Sequence, residues 1–179
     1  MKHDSPVWFI TGCSTGIGRE LALLLLKQGY RVAATARDAS KIDDLVRTHA
    51  DTALALRLDV TDKASITAAV KEAERRFGQI DVLVNNAGYR RLSPVEDVSA
   101  DEWRTHLDVN LSGTFYCCQA AIPYLRASDR ARIINLSSGV TREGHPQGGA
   151  AYVAAKAGVN GLTRALALEL GREDRKSVV

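Results

Sequence analysis

The sequence has little of what several protein classes require. Its three cysteines, Cys13 and the adjacent Cys117 and Cys118, suit neither a disulfide framework nor a four-ligand zinc site, and they read as reduced thiols. Its four histidines, His3, His49, His106 and His145, never fall at the i, i+4 spacing of a helix-face metal site. That leaves them surface or packing roles, and no metal is expected. Leu21 to Leu26, the longest uninterrupted aliphatic run, is far short of the roughly 20 apolar residues that span a bilayer. Asp4 and Pro6 interrupt any secretory segment after Lys2, so the chain reads as cytoplasmic, with no targeting segment and no membrane partner. Neither sign of charge dominates: 24 Lys and Arg stand against 21 Asp and Glu, interspersed, for a net charge of +3. Nucleic acid is therefore not the expected partner.

What is present is ordinary globular material, 179 residues of which 45% are hydrophobic and 25% charged. A chain of this length reads as one domain, residues 1–179, able to bury roughly 70% of the surface it exposes unfolded. Short β-branched runs alternate with longer helical patterns, which predicts an α/β fold: a doubly wound, Rossmann-like parallel sheet with helices on both faces. Strands are predicted at Val7 to Thr11, Arg31 to Ala36, Leu54 to Leu58, Ile80 to Asn85 and Arg132 to Leu136. Helices are predicted at Ile17 to Gln28, ending at Gly29, and after Asp62 as far as Phe77, ending at Gly78. Ser40 with Asp43 and Ser99 with Glu102 have capping-box spacing, so each is expected to open a helix. The second runs, with a break, through Asn110 to about Arg126, where Pro123 should end or bend it. Gly139 to Gly149 reads as a loop, Ala150 to Leu170 as a long helix, and Ser177 to Val179 as a strand barely begun.

The first strand-to-helix junction, Thr11-Gly12-Cys13-Ser14-Thr15-Gly16-Ile17-Gly18, carries glycines that let a diphosphate approach backbone amides at a helix N-terminus. Its spacing is G-x-x-x-G-x-G rather than G-x-G-x-x-G, and it has no Walker lysine. A turn needing positive φ is an equal reading of the same glycines. At the end of the second strand Ala36 is neutral and Arg37 follows, where a carboxylate would favour NAD and an arginine the 2′-phosphate of NADP. Asp38, one step on, could still serve a ribose, so NAD stays as the alternative. Asp59 closes the third strand, either for an adenine amino group or as a helix cap. Asn85-Asn86-Ala87-Gly88 ends the fourth with small residues that admit a ligand close to the backbone, or simply make a turn.

Tyr152 and Lys156 stand i, i+4 on the last predicted helix, so both side chains leave one face. A phenol titrates near pH 10, and working near neutrality takes about 4 kcal/mol of phenolate stabilisation, which an ammonium and a cationic nicotinamide could jointly supply. Alone the pair is weak, because chance gives about 0.2 such Y-x-x-x-K matches in a chain of this composition. Ser138, after the fifth strand, could donate to a substrate oxygen where negative charge develops. No G-x-S-x-G elbow surrounds it, which counts against a hydrolase. Asn110 could hold a water against Lys156, or be a buried asparagine bonded to backbone.

Together, Thr11 to Gly18, Asn85 to Gly88, Asn110, Ser138, Tyr152 and Lys156 occur in the order and approximate spacing of the short-chain dehydrogenase/reductase family, which the whole chain resembles. The resemblance implies an oxidoreductase that moves a hydride between NADP(H), alternatively NAD(H), and a secondary alcohol or carbonyl. It implies that Tyr152 is the acid/base, that Lys156 tunes it and holds ribose, that Ser138 orients the substrate and that Asn110 supports a proton relay. Gly12, Ser14, Thr15, Gly16, Ile17, Gly18, Arg37, Asp59, Val60, Asn86, Ala87 and Gly88, with Tyr152 and Lys156, take the cofactor positions. It also implies homo-oligomers built on helices around 103 to 126 and 150 to 170. Ser138 and Tyr152 are 14 residues apart, one more than in many members, which the loop near His145 and Pro146 can absorb. The family continues past the last helix into further strands and a substrate lid. The expectation is therefore of a C-terminally incomplete domain, with a weak or inactive dinucleotide-binding fragment as the alternative.

Overall fold

The computed structural model describes residues 5–146 and 148–171. Its strands are β1 (Val7–Ile10), β2 (Arg31–Ala36), β3 (Ala53–Arg57), β4 (Val82–Asn85) and β5 (Arg132–Asn135). Its helices are α1 (Gly16–Lys27), α2 (Asp43–Thr48), α3 (Lys63–Phe77), α4 (Ala100–Leu107), α5 (Gly113–Leu125), α6 (Val140–Glu143) and α7 (Ala150–Gly171). The strands pair in parallel in the order β3-β2-β1-β4-β5. The chain thus winds outward from β1 to β3, then returns to add β4 and β5 on the other side. Between β1 and β4 the connections leave in opposite directions, and this switch point opens a crevice at the carboxyl ends of the strands.

Residues that alternate along each strand explain the three layers. Val7, Phe9, Ala33, Leu83 and Ile133 face one side, where Ile66, Val70 and Ala73 of α3, Cys117 and Ala121 of α5 and Leu166 of α7 cover them. Ile10, Val32, Ala34, Val82 and Val84 face the other, against Ala22, Leu25 and Leu26 of α1 and Leu45 of α2. Each fully buried large aliphatic side chain contributes about 1.5–3 kcal/mol. The edge opposite the crevice is tied by Asp81, whose carboxylate accepts from Val7 N (2.7 Å), Gln79 Nε2 (2.7 Å) and Ser128 Oγ (2.6 Å).

The doubly wound expectation holds, and the local departures have physical causes. Ser40 does not cap its helix: Asp38 accepts from both Ser40 N (3.1 Å) and Ser40 Oγ (2.7 Å), opening a 3₁₀ turn over Ala39–Ile42 before α2 begins. Asp62 and Ser99 cap α3 and α4 as read, accepting from Ala64 N and Glu102 N. The break expected after Ser99 is a π-helical segment, Asp108–Ser112, between α4 and α5. Pro123 lies inside α5, which stops at Leu125. The loop predicted over 139 to 149 contains the short helix α6. The strand ends at Thr11, Leu58, Ile80 and Leu136 fall just outside the paired segments. Ser177 to Val179 lie outside the described residues. Cys13, Cys117 and Cys118 are buried free thiols, and burial pushes each up to about 12.

Candidate functional site

The crevice begins with a strut between β1 and β4. Asn86 Nδ2 donates to the carbonyls of Thr11 and Gly12, both at 2.9 Å, while Thr11 Oγ1 accepts from Asn86 N and Ala87 N, both at 3.0 Å. Gly12 has φ of +75°, and a Cβ there would stand 2.8 Å from the Ala87 Cα, so both torsion and space require glycine. A Cβ at Gly18 would collide with Asn86 Nδ2. The glycines thus let α1 press onto the strut and leave its N-terminus facing the crevice.

That N-terminus is bare. Thr15 precedes α1 in extended geometry without a side-chain cap, and no acidic residue occupies the first turn. Free first-turn amides and the positive end of the helix dipole attract an anion. Beside them Ile17 is 70% exposed, a large apolar side chain on the cleft wall.

Further along, Ala36, Arg37, Leu58, Asp59 and Val60 line the same cleft, which has a volume of about 660 Å³. Asp59 Oδ1 accepts from Thr61 N (2.9 Å) and Thr61 Oγ1 (2.7 Å). The Thr61 amide foremost, against some burial and with help from its hydroxyl, Arg37 and Arg57, holds the Asp59 carboxyl below the usual carboxylate range. Asp38 is turned to its cap, where Ser40 likewise holds its carboxyl low. Arg37, not Asp38, stands on the cleft wall.

At the other end α7 brings Tyr152 and Lys156 to the cleft. Lys156 is buried, its Nζ donating to Leu136 O at 2.6 Å and lying 6.0 Å from the Tyr152 ring centre. Desolvation lowers its pKa below that of an ordinary lysine. Gly88 sits between it and Asn110: a Cβ there would be 3.1 Å from Asn110 Oδ1 and 3.9 Å from Lys156 Nζ. Asn110, in the π-helical segment, is fully buried and bonded to backbone. Its Oδ1 accepts from Tyr89 N (3.1 Å), and its Nδ2 donates to Tyr89 O (2.9 Å) and His106 O (3.0 Å).

Of the residues expected at the site, the fold gathers all on this cleft except Gly16, Gly18 and Ser138. Gly18 sits behind the wall as a packing glycine. Ser138 lines an adjoining hollow of about 510 Å³ with Thr141, Arg142 and Asn160, its Oγ accepting from Val140 N at 3.4 Å. Ser137 takes the cleft position and donates to Lys156 O at 3.2 Å. His106 was not singled out by the sequence, yet it is fully buried with its ring centre 6.2 Å from that of Tyr152. The available signal was its i, i+4 relation to Asn110. Among the described residues no cluster of His, Cys, Asp or Glu could hold a metal ion, and no helix is long and apolar enough to cross a membrane.

A bare helix N-terminus, a glycine-backed strut and a Tyr/Lys pair thus share one cleft, and the family model for short chain dehydrogenases matches residues 6–176. The chain belongs to this family. It is 41% identical over 165 residues to the 3-oxoacyl-(acyl-carrier-protein) reductase FabG of Staphylococcus aureus, covering 90% of this chain and 67% of that protein. It is 38% identical over 175 residues to the (2S)-((R)-hydroxy(phenyl)methyl)succinyl-CoA dehydrogenase subunit BbsD of Thauera aromatica, covering 96% and 70%. Among solved structures, a short-chain dehydrogenase from Streptomyces avermitilis superposes with a TM-score of 0.89 at 34% identity, over 96% of this chain and 63% of that one. The family is one of oxidoreductases, and the chain spans about two thirds of the length of these relatives.

Proposed function

We propose that the cleft binds NADP(H) and that the chain moves a hydride between it and a secondary alcohol or carbonyl. The observation that carries this is the convergence on one cleft of uncapped α1 amides at one end and the Tyr152/Lys156 pair at the other. Gly12, Ser14, Thr15 and Ile17, on the wall backed by Gly16 and Gly18, would hold the diphosphate, Asp59 and Val60 the adenine end, and Asn86, Ala87 and Gly88 the middle. Arg37 would take the 2′-phosphate, with Asp38 committed to its cap; NAD is the alternative if Arg37 proves silent. When bound, the cofactor supplies or accepts the hydride.

Tyr152 gives a proton to the substrate oxygen in reduction and takes it back in oxidation. The Lys156 ammonium favours the phenolate and bonds the ribose hydroxyls. Asn110 shapes the wall beside Lys156 and supports proton exchange with solvent, while Ser138 orients the substrate oxygen. The exposed Trp103, Phe115 and Leu168 support self-association through α4, α5 and α7. A cytoplasmic location is part of this reading.

The position of Ser138 off the cleft, with Ile134 of the edge strand β5 exposed, favours a second reading: a dinucleotide-binding module with weak turnover. Titration with NADPH and NADH, followed by NADPH oxidation over a carbonyl panel including 3-oxoacyl thioesters, separates the two. Binding with turnover supports the first, binding without turnover the second, and no binding overturns both.

A further inference from the structure

We infer that His106 is a positioning residue for the substrate side of the cleft, acting through the Tyr89–Arg91 segment and the ring of Tyr152; its kinetic consequence rests on the function proposed above. His106 has no exposed surface, so both ring nitrogens need partners inside the protein. Nδ1 lies 2.9 Å from the carbonyl oxygen of Glu102, which can only accept, so Nδ1 carries the proton. Nε2 accepts from the Arg91 N–H at 3.3 Å. The two bonds select one neutral tautomer, because a proton on Nε2 would point at another N–H.

One turn further on, Asn110 engages both the N–H and the carbonyl of Tyr89. Two side chains four residues apart therefore hold a three-residue stretch at both of its ends. The rings are fixed as well: His106 lies 4.8 Å from Tyr89 and meets Tyr152 edge-on at 6.2 Å. Tyr89 and Arg90 line the cleft beside Tyr152. One buried imidazole thus touches the proposed proton donor and secures the wall next to it, while the amides of α1 and the Thr11–Asn86 strut belong to other elements. Replacing it with an apolar residue of similar size keeps the space filled and strands the Arg91 N–H, which should loosen the wall without dissolving the fold.

The test compares this chain with His106→Leu and His106→Gln, whose Oε1 can replace Nε2 as acceptor. Long-range proton–nitrogen spectra of the parent should find the proton on Nδ1. His106→Leu should speed hydrogen exchange at the Arg91 amide and raise the KM for the carbonyl substrate by about tenfold each, the scale of one lost hydrogen bond, with the NADPH Kd within about twofold. His106→Gln should restore most of both. A proton on Nε2, or an unchanged Arg91 exchange rate in His106→Leu, overturns the inference. So does an equal loss of melting temperature, NADPH affinity and KM in both variants, which marks a packing residue. A chain that binds no dinucleotide overturns the proposed function, and the tautomer and amide exchange then still decide the role of His106.

Discussion

The Nζ of Lys156 donates a 2.6 Å hydrogen bond to the carbonyl oxygen of Leu136, fastening α7 to the residue that follows β5. An ammonium so buried, beside a titratable ring and a cleft, is costly unless the site uses its charge. Lys156→Met should weaken dinucleotide affinity and turnover together, each by at least about tenfold, since one charge–hydrogen-bond partner is lost to both. The same burial has a signature in stability. Because the folded-state pKa is depressed, the unfolded chain holds the extra proton between that value and the ordinary lysine value of 10.5. Stability attributable to Lys156 therefore rises with pH through that window. Urea unfolding of parent and variant at about pH 7 and about pH 10 should show the difference moving in favour of the parent; a flat difference contradicts the desolvation of Lys156.

Tyr152→Phe removes one oxygen and keeps the ring that packs edge-on against His106. The variant should melt with the parent and bind NADPH equally well, while turnover falls by about 10²–10⁴-fold. Turnover within a few-fold of the parent would exclude Tyr152 as the proton-transfer group.

Arg37→Asp replaces the cleft-wall cation with a carboxylate suited to ribose hydroxyls. The ratio of NADP(H) to NAD(H) affinity should fall by about tenfold or more, the scale of a charged hydrogen bond lost to the 2′-phosphate. Dissociation constants for both cofactors measure it. A parent that already prefers NAD(H) would assign Arg37 no such contact.

Asn86→Ala strands the carbonyls of Thr11 and Gly12, which share its Nδ2 group. The expected cost is about 2 kcal/mol, read from urea midpoints at constant slope, together with weaker dinucleotide binding. Asn86→Asp should be worse, since it sets an acceptor against two acceptors. A change below about 0.5 kcal/mol would show that the strut is not a structural tie.

The parallel α/β architecture was legible along the chain because its signals are periodic and local. The alternation of Val7, Trp8, Phe9 and Ile10 between two faces, and the caps at Asp62 and Ser99, depend on neighbours within a few residues. That the candidate residues share one cleft was legible for a related reason: in a doubly wound sheet, whatever follows a strand arrives at the same edge, so Gly12, Arg37, Asp59 and Asn86 had to approach one another.

Choices between competing partners were decided only in three dimensions. Ser40 with Asp43 has the spacing of a capping box, yet the backbone path made Asp38 the acceptor. Ser137 and Ser138 are chemically alike, and the turn into α6 left Ser137 lining both the cleft and the adjoining hollow while Ser138 lines the hollow and not the cleft. His106 looks like any helical histidine until the Tyr89–Arg91 segment, distant from it in sequence, folds back to present an N–H to its ring. Pattern along the chain thus determined which elements form and which edge they share. Long-range packing determined which polar atom meets which, because a buried donor must find its acceptor wherever the fold places one.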